Sequence, residues 1–72
     1  MKNDCFNLLK IRRNAMMAAH RDGYDQLVVQ ENDGSYTIVR KGLLDKNDDR
    51  KLIGRVFLEY CGGCRLVKFQ LA

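Results

Sequence analysis

An α+β fold is predicted: one N-terminal helix packed on a four-stranded antiparallel sheet, in the order α-β-β-β-β, within a single small domain spanning residues 1–72. Three observations carry this. Apolar residues recur at helical spacing up to Gly23, Asn32-Asp33-Gly34 separates two short β-prone runs, and Gly62-Gly63 separates two longer ones.

The helix runs from Asp4 to about Arg21. Cys5, Leu8, Leu9, Ala15, Met16 and Ala19 fall on one stripe, with Asn7, Lys10 and Asn14 opposite. Asn3 or Asp4 caps the start. His20 and Arg21 place positive charge in the last turn, where it suits the helix dipole, and Gly23 is a natural left-handed stop.

Strands follow at Gln26 to Gln30 and Tyr36 to Arg40. With Asp33-Gly34 as a two-residue loop, Val29 faces Ile38 and Val28 faces Val39, so that both faces of the hairpin carry apolar residues. Lys41 to Asp49 is then a charged connector longer than the usual four to six residues, either a binding element or an exposed link with Leu43 and Leu44 tucked beneath it.

Residues 48 to 61 admit two readings. As a helix, Asn47 caps, Leu52, Ile53, Val56, Phe57 and Tyr60 form a stripe, and Gly62 terminates it, for an α-β-β-α-β order. As a hairpin, Gly62-Gly63 is the turn and Leu58 pairs with Val67, Val56 with Phe69 and Gly54 with Leu71. The hairpin places the apolar residues of both strands on one face, while Arg55, Phe57, Glu59, Lys68 and Gln70 share the other. It is favoured because Gly54 costs about 1 kcal/mol inside a helix and its β-branched and aromatic neighbours prefer pleated structure.

Composition narrows the function classes. Seventy-two residues make one domain with a thin core. A net charge of +4 favours anionic partners, but the thirteen basic residues are scattered among nine acidic ones, as on an ordinary mixed-charge surface. Met1-Lys2-Asn3-Asp4 leads into no apolar run and nothing approaches a membrane span, so no membrane association is expected. Three cysteines are too few, and odd in number, for a disulfide framework, which points to reduced thiols in the cytoplasm.

The catalytic inventory is nearly empty, with one histidine (His20), one serine (Ser35) and one threonine (Thr37), and the chain is not expected to be an enzyme. Neither phosphate-cradling glycine motif occurs, and no cofactor is implied. Cys61-Gly62-Gly63-Cys64 has the spacing of half a zinc site or of a redox dithiol. The remaining candidate ligands, Cys5 and His20, lie about 22 Å apart along a helix, so a single chain cannot complete a tetrahedral site, and two ordinary thiols beside a turn is the preferred reading.

Contact with another macromolecule is what remains. Candidate binding residues are Arg12, set within the apolar helix stripe, and Arg40, Lys41, Arg55, Phe57 and Lys68, read as a basic sheet face around an aromatic ring. The expected function is a non-enzymatic module acting by protein–protein contact, of the inhibitor, adaptor or regulatory-subunit type. The alternative is nucleic-acid binding through the basic sheet face and helix. Open sheet edges also allow a homodimer.

Overall fold

The structure, a computed structural model, describes residues 4–72, with side chains described from Asn7 onward; the expected cap at Asn3 and the place of the Cys5 side chain on the helix stripe lie outside the described residues. Helix α1 spans Asp4–Asp22, and four strands follow: β1 (Gln26–Gln30), β2 (Tyr36–Arg40), β3 (Lys51–Cys61) and β4 (Cys64–Leu71). They form one antiparallel sheet in the order β2-β1-β3-β4, so β2 and β4 are its edges. The α-β-β-β-β order holds, and residues 51–61 are strand rather than the alternative helix.

α1 lies across all four strands on one face of the sheet. Its seat is made of small residues: Ala15 and Ala19 are fully buried against Val28 and Val56, with Ile11, Met16, Ile38, Leu58, Val67 and Phe69 packed around them. Alanine on the helix lets the backbone approach the valines closely, and the absence of large side chains at the contact keeps the two layers in register. The buried ridge therefore runs through Ile11, Ala15 and Ala19. Leu9, expected on the buried stripe, is instead 54% exposed, because it lies on the adjacent ridge that overhangs β4.

The helix ends as its sequence requires. Gly23 takes φ 78° and donates its N–H to the Ala19 carbonyl at 2.8 Å. A second closure comes from β4, where Arg65 Nη1 donates to the His20 carbonyl and brings a guanidinium to the negative end of the helix dipole.

The first hairpin differs by one residue from the expected register. Val28 pairs with Ile38 and Val29 with Thr37, because the loop has three residues rather than two. The Glu31 amide donates to the Ser35 carbonyl at 2.8 Å, the Gly34 amide donates to the Glu31 carbonyl at 3.0 Å, and Gly34 takes φ 91°. Asp33 selects this loop by accepting hydrogen bonds from both the amide and the hydroxyl of Ser35, at 3.0 and 2.7 Å.

The second hairpin has the expected register throughout. Leu58 pairs with Val67, Val56 with Phe69 and Gly54 with Leu71, around Gly62 and Gly63 at φ 57° and 83°. β3 also carries a bulge: Val28 pairs with Gly54 but Val29 pairs with Leu52, which leaves Ile53 as an extra residue. Ile53 thereby joins Gly54 on the helix side, and the strand turns Leu52 to the other face.

The loop between β2 and β3 is held by a charge network. Arg50 donates to Asp48 Oδ2 at 2.6 Å and to Glu31 Oε2 at 2.7 Å, and the Thr37 hydroxyl donates to the same Glu31 oxygen at 2.7 Å. Thr37 lies opposite Val29, which is fully buried although it points away from the helix. The network thus anchors the connector over the sheet end that holds Val29. Leu43 is not tucked beneath the connector; it is 71% exposed, while Leu44 is half-buried.

The network responds to acid in a defined direction. The Thr37 hydroxyl, with Arg50, holds the Glu31 carboxyl below its ordinary value, and Arg50 does the same to Asp48. Depressed folded values mean the stabilisation is present above the ordinary carboxylate range, near pH 4, and is lost as pH falls through the depressed values. The protection of the Asp48 and Arg50 amides, each taken relative to its intrinsic exchange rate at the same pH, should therefore fall on acidification ahead of the rest of the fold. In Arg50→Ala the amides of residues 48 and 50 should be weakly protected at every pH; unchanged protection would mean that Arg50 does not clamp the connector.

Candidate functional site

Two surfaces concentrate binding chemistry, one on each face of the sheet. The first is on the open face. Alternation along β3 and β4 sends Arg55, Phe57 and Glu59 and their neighbours Lys68 and Gln70 away from the helix. Lys41 and Asp25 enter from the loop ends, and with Leu27, Arg55, Phe57 and Gln70 they line a hollow of about 250 Å³.

Asp25 organises that hollow. Its Oδ1 accepts the Leu58 amide at 3.1 Å, a β3 donor beyond the end of β1, and its Oδ2 lies 3.9 Å from Lys41 Nζ. The carboxylate thus offsets one of the two cations. Lys68, paired directly opposite Phe57, forms an ion pair with Glu59 at 2.9 Å.

Of the six residues expected to bind, the structure gathers Lys41, Arg55 and Phe57 around one hollow and sets Lys68 beside them. Arg40 does not join them. It pairs with Gln26, whose other partner Val56 is in the helix-side core, and its guanidinium sits 4.3 Å from the Tyr24 ring centroid on that side. Arg12 is also on the helix side, 5.6 Å from the Phe69 ring centroid. The tyrosines do not extend the aromatic platform: Tyr36 packs on the core, Tyr24 meets Arg40, and Tyr60 meets Arg65. Among the described residues, Phe57 is the single aromatic lining the hollow.

The second surface includes one residue expected to bind, Arg12, and is otherwise unanticipated. Between α1 and the free edge of the sheet runs a groove of about 650 Å³ with an apolar floor of Leu9, Met16, Met17 and Val67. Its rim carries Arg12, Arg13, His20 and Arg21. A second depression, lined by Leu8, Phe69 and Leu71 and sharing Leu9 and Arg12 with the first, continues it along β4. Leu9, Met17 and Leu71 are all more than half exposed, at 54%, 59% and 61%.

The signal for this groove was in the sequence: Leu9, Met16 and Met17 make the apolar face of the helix wider than its alanine seat requires. Placing Leu9 and Met16 on one buried stripe, with Met17 left off it, conceals the groove. Arg65, which closes the helix C-terminus, had no sequence signal, because its partner lies 45 positions away.

Cys61 and Cys64 face one another across the turn as free, exposed thiols, and among the described residues no three His, Cys, Asp or Glu side chains gather as metal ligands. Asp45 and Asp48 in the connector accept backbone N–H bonds from Asn47 and Arg50, which gives them roles within the loop itself. No described helix is long and apolar enough to cross a membrane. The chain matches no protein-family model, and no curated protein or solved structure is significantly similar to it.

Proposed function

We propose that the chain is a non-enzymatic binding module that acts by protein–protein contact, as an inhibitor, adaptor or regulatory subunit does. The observation that carries this is the exposed apolar groove beside an unpaired strand edge. Contiguous apolar surface rimmed by charge is the signature of an interaction site, and a domain with so thin a core gains little by leaving it bare. Free, exposed thiols suit a reducing compartment, so the cytoplasm is the proposed location.

Nucleic-acid binding is the second reading, supported by Phe57 with Arg55 and Lys41 around the open-face hollow. Single-strand platforms stack two or three bases on separate aromatics, and here Glu59 occupies Lys68 while Asp25 faces Lys41. The protein-contact reading therefore stands first.

One experiment separates them. A photo-crosslinking amino acid is placed at Met17 in the groove, at Phe57 in the hollow, or at Lys46 in the connector, and adducts are collected in cells. The proposal expects a discrete protein adduct from Met17 alone. A nucleic-acid adduct from Phe57 overturns it, as does an oligonucleotide affinity that falls steeply between about 50 and 200 mM salt and is lost in Arg55→Glu and Lys68→Glu.

A further inference from the structure

We infer that the groove between α1 and β4 takes an extended, acidic, apolar-anchored segment of a partner protein, added as a fifth strand to the free edge of β4. The inference rests on the protein-contact reading and names the partner's chemistry.

The strand geometry comes from hydrogen-bond parity. Ala72 N donates to Ile53 O at 2.9 Å, so even-numbered amides at this end of β4 face β3. In an antiparallel ladder the alternate residues face the other way, which leaves the N–H and C=O groups of Arg65, Val67, Phe69 and Leu71 at the open edge. That edge is eight residues long, with no bulge in its pairing to β3 and no proline to blunt it. Natural sheets protect such edges, and one that is left open is a ready template for an added strand.

The side chains set what that strand must be. A fifth strand sends alternate residues into the groove, over Leu9, Met17 and Val67. Among the described residues lining the groove and its extension none is acidic, whereas Arg12, Arg13, His20 and Arg21 stand along the rim. Arg21 shares its charge with Asp22 at 3.0 Å, which leaves Arg12, Arg13 and His20 as the rim's main donors. Carboxylates flanking an apolar centre complement this arrangement. A second copy of the chain does not: a two-fold β4–β4 pairing brings two such rims together, like charge against like.

The test uses the full chain, isotope-labelled, and a ten-residue synthetic peptide whose groove-side positions run Glu, Leu, Val, Leu, Glu with Thr between them. Amide exchange at Val67, Phe69 and Leu71 should slow about tenfold when the peptide is at about ten times its dissociation constant, while the amides already bonded to β3 change little. The same peptide with Lys in place of Glu should fail, and Arg13→Glu should narrow the difference between the two peptides. Leu71→Pro removes one edge donor without touching a β3 bond and should weaken binding.

Equal binding of the Lys peptide, or protection confined to the open face, overturns the inference. So does protection of the edge amides in the free protein together with a dimer in sedimentation, which would seat a second copy there. If Met17 crosslinks protein in cells yet the acidic peptide leaves the edge amides unprotected, the partner chemistry fails while the protein-contact function survives. If Met17 yields no protein adduct either, both fail.

Discussion

Gly54→Ala is expected to lower the melting temperature by roughly 5–15 °C, corresponding to about 1–3 kcal/mol for overpacking a domain of this size. A Cβ built at Gly54 would lie 2.6 Å from Phe69 Cζ, 3.1 Å from Phe69 Cε1 and 3.0 Å from the Gln70 carbonyl oxygen. The ring cannot simply swing aside, because it is packed against the helix-side core and has the Arg12 guanidinium on it. Nor can the carbonyl, since Gln70 is paired with Arg55 in the β3–β4 ladder. The effect should therefore be coupled to Phe69 rather than to backbone freedom, for which Gly54 has no need: it is not among the glycines at positive φ. Phe69→Leu in the Gly54→Ala background should recover part of the loss, although Phe69→Leu alone is destabilising. Strict additivity in that double-mutant cycle would mean that the ring is not what Gly54 accommodates.

The same glycine illustrates how far the sequence could be read. In the strand reading Gly54 was a residue that helices disfavour, and it did mark β3 correctly. Its second meaning, as the partner of the Ile53 bulge beneath an aromatic ring, depends on β1 lying alongside, which no local pattern encodes. The β3–β4 register was legible because Gly62-Gly63 permits one tight turn and the apolar residues then align on one face. Asn32-Asp33-Gly34 permits two loop lengths. The choice between them was made by the Asp33 carboxylate and Ser35, so the partner of each β1 residue slipped by one.

The placement of the candidate residues follows expectation where alternation decides and departs from it where the helix does. Arg55, Phe57 and Lys68 follow from strand parity alone and share the open face as expected. Arg40 was grouped with them by nearness in sequence, yet its pairing with Gln26 turns it to the other face. On the helix, a 3.6-residue period cannot distinguish a ridge seated on the sheet centre from one overhanging its edge. Leu9 and Met17 are as apolar as Ile11 and Met16, and which of them the sheet covers is a tertiary fact.

The seating of the helix yields the second large effect. Val28→Ala should destabilise the chain by about 2–3 kcal/mol, the lost transfer energy of two buried methyl groups plus the cavity they leave. For 72 residues at the usual 0.05–0.15 kcal/mol per residue, total stability is only about 4–11 kcal/mol, so the loss is a large share of it. The cavity cannot readily collapse, because the residues above Val28 are Ala15 and Ala19, which have no further side chain to extend into it. Enlarging Ala15 instead should overpack the same contact, with Ala15→Val alone destabilising by about 1–2 kcal/mol. Combined, Val28→Ala and Ala15→Val conserve volume across the helix–sheet contact, and the pair should be more stable than the sum of the single losses by about 1 kcal/mol. Denaturant midpoints at unchanged slope measure each of the three variants. Leu43→Ala, at the exposed connector, serves as the control and should stay within about 0.5 kcal/mol of the parent. If the double variant is no better than additive, then α1 is not seated through Ala15 on Val28. The groove along β4 would then lose its rigid wall, since Leu9 and Met17 overhang the edge only because the alanine ridge is locked to the sheet.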